Sequence, residues 1–102
     1  MQAPRTALQG YFAEDVGAYL RKSEVVAASF ERAGDTRLAT LQRINVGYAY
    51  LVLGADADAE RALREVIIAA RPLGLGLVVA NAQHNLGMAL AHLGSLEQAI
   101  AI

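Results

Sequence analysis

Asn45-Val-Gly-Tyr-Ala-Tyr-Leu-Val-Leu-Gly-Ala-Asp-Ala-Asp-Ala59 is written again, in outline, as Asn85-Leu-Gly-Met-Ala-Leu-Ala-His-Leu-Gly-Ser-Leu-Glu-Gln-Ala99. At this offset of 40 residues Asn45/Asn85, Gly47/Gly87, Ala49/Ala89, Leu53/Leu93, Gly54/Gly94 and Ala59/Ala99 are identical. An internal repeat of that length is the signature of stacked helical hairpins, each burying its apolar face only against the next. The same offset sets Arg21 on Arg61, Val26 on Val66 and Gly34 on Gly74, so the register extends back toward the N-terminus. The fold class expected is all-α, built from antiparallel helical hairpins.

Working outward, Asp35 is suited to capping a helix that runs to about Leu53, with Gly54 in the left-handed position that ends many helices. That helix carries two apolar stripes. Leu41, Ile44, Tyr48, Leu51 and Val52 form one; Ala39, Val46, Ala49, Tyr50 and Leu53 form the other. Two stripes require packed neighbours on two sides. Asp56 or Asp58 can cap the next helix, which buries Ala59, Ala62, Leu63, Val66, Ile67 and Ala70 before Pro72 and Gly74 stop it. A further helix spans about Leu77 to Leu93, and Ser95-Leu-Glu-Gln98 is a capping box opening another that reaches Ile102. Upstream, Asp15 can cap a helix whose apolar face is Val16, Tyr19, Leu20, Val26, Ala27, Phe30 and Ala33, and Gly34 ends it. A weaker helical stretch, Ala3 to about Phe12, has Pro4 in its first turn and is interrupted by Gly10. The chain thus divides as one domain, 1–102: an N-terminal helix and partial hairpin in 1–34, a complete repeat in 35–74 and a truncated repeat in 75–102. The last helix is shorter than the ~12–15 residues an isolated helix needs. Ala99, Ile100 and Ile102 are therefore expected to pack on a neighbour, and the natural chain to continue.

Composition excludes several classes of function. With 102 residues, 55% apolar and 19% charged, the chain can bury a core. Nine basic against ten acidic residues leave a net charge of −1, with no dense basic run to attract nucleic acid. The absence of cysteine removes disulfides, thiol catalysis and cysteine-bound zinc, and accords with a cytoplasmic setting. Pro72 to Leu96 lacks Asp, Glu, Lys and Arg. Asn81, Gln83, His84, Asn85 and His92, together with Pro72, Gly74, Gly76, Gly87 and Gly94, make it a poor membrane span.

The phrase beginning at Asn45, and its echo at Asn85, resembles the tetratricopeptide repeat family, in which small residues stand where paired antiparallel helices cross. Gly47/Gly87 and Ala59/Ala99 match those crossings and Gly54/Gly94 the turn between helices. The 40-residue unit is similar to the extended variety found in kinesin light chains and bacterial peptide-sensing regulators. Arg43 and Gln83 stand where the family has a bulky aromatic. The resemblance covers residues 15–102 and implies a short right-handed solenoid. Phe30-Glu-Arg-Ala-Gly-Asp-Thr-Arg37, with Leu41-Gln-Arg-Ile-Asn-Val-Gly-Tyr48, is also similar to repeats that follow bacterial serine/threonine kinase domains. No kinase motif lies in these residues.

What the resemblance implies for function is a concave groove lined by the first helix of each hairpin. It would be formed by Leu41, Ile44, Asn45, Tyr48 and Val52 from one repeat and Asn81, His84, Asn85, Met88 and His92 from the next. A side-chain amide offers both a donor and an acceptor, so Asn45 and Asn85 could grip a peptide backbone, or else bond neighbouring helices and hold the register. His84, Met88 and His92 share a face at four-residue spacing, and imidazole with thioether suits a soft ion such as Cu(I). Three residues along one helix span too much length for a single metal site, so packing or groove lining is the expectation and no metal or cofactor is assigned. Ser23, Ser29 and Ser95 stand in no nucleophile turn, and Gly74-Leu-Gly76 lacks the lysine and third glycine of a phosphate loop. Arg61, Arg64 and Glu65 read as a solvated face, with Glu60 and Arg64 paired one turn apart. The expected function is a non-enzymatic scaffold module of a larger bacterial signalling protein, binding a protein or peptide partner. The alternatives are a homodimerisation module, through the apolar patch of Leu41, Ile44, Tyr48 and Leu51, and a small-molecule or peptide sensor.

Overall fold

The structure is a computed structural model that describes residues 5–94, with side chains from residue 15 onward. The capping box at Ser95 and the helix it opens lie outside the described residues, as do Ala99, Ile100, Ile102, Ala3 and Pro4. Four helices follow one another: α1 (Arg5–Arg32), α2 (Thr36–Val52), α3 (Asp56–Ala70) and α4 (Gly76–His92). α2 and α4 begin and end 40 residues apart, as the repeated phrase requires.

The turns are finer-grained than the repeat. Gly34, Gly54, Gly74 and Gly94 all have positive φ, between 68° and 78°, and stand every 20 residues. In the first three turns the glycine N–H donates three residues back. The N–H that follows donates five back, from Asp35 to Phe30, Ala55 to Tyr50 and Leu75 to Ala70. This closes the orphan carbonyls of one helix while the next begins. The residue after each of these three glycines, Asp35, Ala55 or Leu75, then serves as the N-cap of the following helix. At α2 that residue is Asp35, whose Oδ1 accepts from the Leu38 N–H at 3.0 Å, a cap generally worth about 1 kcal/mol.

Two boundaries differ from expectation. Asp15 caps nothing, because α1 is continuous from Arg5 through Gly10 and Asp15 to Arg32. A glycine inside a helix costs only about 1 kcal/mol, less than breaking and re-nucleating the helix. At α3 the N-cap is Ala55, without a side-chain cap, and Asp56 and Asp58 sit in the first turn. Their charges favour the helix N-terminus, and their carboxylates bond elsewhere.

Packing is sequential. α1 lies on α2, α2 on α3 and α3 on α4, with a smaller contact between α2 and α4; among the described residues α1 packs on neither α3 nor α4. α2 is thus flanked by three helices, which accounts for its two apolar stripes. The core joins Leu51 of α2, Leu63, Val66 and Ile67 of α3, and Ala82 and Ala89 of α4. Leu63 is fully buried against Gly47: a Cβ at Gly47 would stand 2.6 Å from Leu63 Cδ2 and 2.9 Å from its Cγ. The α2–α3 crossing therefore depends on a glycine, as the repeat suggested. At Gly87 no described atom comes within 4 Å of such a Cβ.

Candidate functional site

At 100° per residue, α2 presents two opposite free sides once α1 and α3 are packed on it. Asn45, Tyr48 and Val52 occupy one; Arg43 and Tyr50 occupy the other.

The first side carries the residues expected to line a groove. Tyr48 is 53% exposed and Val52 37%; with Asp15, Val16 and Tyr19 of α1 and Ala49 they border a shallow pocket of about 250 Å³. Leu41, Ile44 and Asn45 are half-buried, and Ile44 is spent on the core. On α4, Asn81, His84, Met88 and His92 are exposed. Asn85 is only 7% exposed, and its Nδ2 donates to Asn81 Oδ1 at 2.8 Å within the same helix. Among the described residues its amide thus bonds within α4 and to no neighbouring helix. His92 is held at the rim: its Nδ1 lies 3.1 Å from Asp56 Oδ1, linking the end of α4 to the start of α3.

The second side carries none of the expected groove residues. Here α1 and α3, which among the described residues do not pack on each other, wall a cavity of about 390 Å³ whose floor is α2. Glu24 and Glu31 stand on the α1 wall, and Asp58, Arg61 and Glu65 on the α3 wall. Arg43 and Tyr50 rise from the floor among Ala39, Thr40 and Val46. Arg43 Nη2 pairs with Glu31 across α1 and α2, and Arg61 Nη2 with Asp58 along α3. The Thr40 hydroxyl is buried and already donates to the Thr36 carbonyl at 2.7 Å. Arg64, expected on the same solvated face, turns away and pairs with Glu60 at 3.0 Å. Seven-residue spacings in three separate helices, Glu24/Glu31, Arg43/Tyr50 and Asp58/Glu65, were the signal present in the sequence. Taken one helix at a time, each is an ordinary polar stripe.

The Tyr50 phenol is pushed above its usual pKa of 10.0, first by burial and then by the negative charge of Glu24 and Asp58, against the opposing pull of Arg61 and Arg43. A folded pKa above the unfolded one means that the unfolded chain loses this proton first as pH rises. The stabilisation is fully present below pH 10 and declines as pH climbs from there through the raised folded value. Tyr50→Phe should therefore flatten the alkaline fall in stability relative to the parent chain, read by urea denaturation between about pH 8 and 11. An unchanged slope in Tyr50→Phe would contradict the burial of the phenol.

Among the described residues, no group of three or more His, Cys, Asp or Glu is placed to hold a metal ion, and no helix is long and apolar enough to cross a membrane. No family model, no curated protein and no solved structure matches this chain. The described residues form an all-α arrangement of four helices packed in chain order, with an exposed apolar side and a charged cavity on opposite sides of α2.

Proposed function

We propose that the chain is a helical-repeat interaction module of the tetratricopeptide type, within a larger cytoplasmic bacterial signalling protein, and that it holds a peptide or partner helix along α2 and α4. The observation that carries this reading is the pair Tyr48 and Met88. They are related by the 40-residue offset, stand on adjacent helices and remain 53% and 41% exposed. Large apolar side chains at equivalent positions of consecutive repeats give a partner a regularly spaced row of contacts. Asn45, Asn81 and His84 supply polar groups beside that row; Asn85, being buried, supports Asn81 from within. The module acts by recognition and has no catalytic step.

Photo-crosslinking in the source cell tests this. A photoreactive side chain at Tyr48 or Met88 should capture the same partner protein, whereas one at Ile68, which is 72% exposed on α3, should not. Adducts at twice the chain mass would show self-association instead. Equal, unselective labelling at all three positions would remove the support for a binding surface here.

A further inference from the structure

The cavity between α1 and α3 plays no part in that proposal. Its walls and floor carry four carboxylates, Glu24, Glu31, Asp58 and Glu65, against two guanidiniums, Arg43 and Arg61. Both guanidiniums are already spent, Arg43 on Glu31 and Arg61 on Asp58. Among the described residues, Glu24 on the α1 wall and Glu65 on the α3 wall have no ion-pair partner, so the cavity has a net charge of −2 with one uncompensated carboxylate on each side. The rest of the lining is mixed: Thr36, Thr40, Arg43 and Tyr50 are polar, Ala62 and Ala69 are half-buried, and Ala39, Val46 and Val66 are buried.

We infer that this cavity is a second docking groove, for a partner segment that carries two basic side chains, whose aliphatic stems lie against Ala62, Ala69 and the Tyr50 ring while their charged ends meet Glu24 and Glu65. The lining chemistry selects this occupant. Lysine and arginine bury their methylene stems along apolar surface while keeping the head with polar partners, and the groove supplies both in one place. A bare divalent cation instead needs several oxygens converging on one point. Here the free carboxylates stand on different helices, Glu24 on α1 and Glu65 on α3, and the described residues contain no converging ligand group. An acidic segment would face uncompensated like charge, which is a means of excluding wrong partners. The groove is also peculiar to one repeat. At the 40-residue offset Glu24 becomes Arg64 and Glu31 becomes Arg71, while Arg43 and Tyr50 become Gln83 and Leu90. The acidic recess is thus not a generic product of stacking.

Titration calorimetry on the whole chain tests the assignment with a short extended peptide bearing two lysines separated by one residue. Its Nε-acetylated form, spermidine and magnesium chloride serve as comparison ligands. The expected result is binding of the lysine peptide that weakens at least tenfold in Glu24→Gln/Glu65→Gln and weakens with added salt, and no binding of the acetylated peptide. The two carboxylates face the groove and solvent, so the double variant should keep the circular dichroism and melting behaviour of the parent. Peptide binding unaffected by the double substitution, or an inert peptide, would overturn the proposal. So would spermidine or magnesium binding as strongly as the peptide, which would indicate a small-cation site. Tyr48→Ala should leave the peptide titration intact, which separates failure of this groove from failure of the Tyr48 and Met88 surface.

Discussion

Leu63→Ala is expected to lower the unfolding free energy by about 3–4 kcal/mol, the largest effect of any single truncation in the described core. Leu63 is 0% exposed and sits where α3 meets both Gly47 of α2 and the core side chains shared with α4. Removing its isobutyl group discards apolar burial and leaves a void that Val66 and Ile67, fixed on the same helix, cannot collapse to fill. Small domains have a total stability of roughly 5–15 kcal/mol, so the variant should melt some 15 °C or more below the parent. Urea denaturation followed at 222 nm provides the measurement. A loss below about 1 kcal/mol would show that the α2–α3 crossing is not the centre of the core.

Gly47→Val should cost about 2 kcal/mol or more by the opposite mechanism. A Cβ at Gly47 already stands 2.6 Å from Leu63 Cδ2, and valine adds two further methyl carbons beyond it. Leu63 is enclosed on all sides, so it cannot swing into solvent to relieve the overlap; overpacking of this kind generally costs about 1–3 kcal/mol. Gly17→Ala is the matched contrast. Gly17 is helical in α1, and the nearest atom to an added Cβ is Arg21 Nη1 at an ordinary 3.5 Å. That substitution should raise stability by about 0.5–1 kcal/mol through backbone entropy alone. Gly47 and Leu63 are linked in a checkable way: Gly47→Ala combined with Leu63→Ala should be less destabilising than the sum of the single changes, because the new methyl enters the space the leucine vacates. Strict additivity would mean that the two side chains do not share that space.

The sequence made the helix positions and their stops readable to within a few residues, because glycine at positive φ, aspartate at an N-cap and apolar periodicity act locally. Gly54 ends α2 and Asp35 starts it for reasons contained within four or five residues of each. The same locality explains the errors. Asp15 and Asp56 have the chemistry of a cap, yet Asp15 falls inside a continuous helix and Asp56 is drawn to His92, 36 residues away. Of the expected groove residues, Tyr48, Val52, Asn81, His84, Met88 and His92 are exposed, while Ile44 goes to the core and Asn85 is buried on Asn81. Periodicity identifies a stripe but does not say whether a neighbour covers it.

The repeated phrase Asn45–Ala59 by itself determined the all-α class, the 40-residue register of α2 and α4, the turn glycines and the need for a small residue at Gly47. Each is a matter of backbone conformation or of spacing along one chain segment. Tertiary structure alone decided which side of α2 stays open. Among the described residues α1 and α3 both pack on α2 but not on each other, and the recess between them gathers Glu24, Arg43, Tyr50, Asp58 and Glu65 from three helices into one charged cavity. The physical reason is that electrostatic and packing environments are sums over neighbours in space, and for these five residues the neighbours that matter lie on other helices.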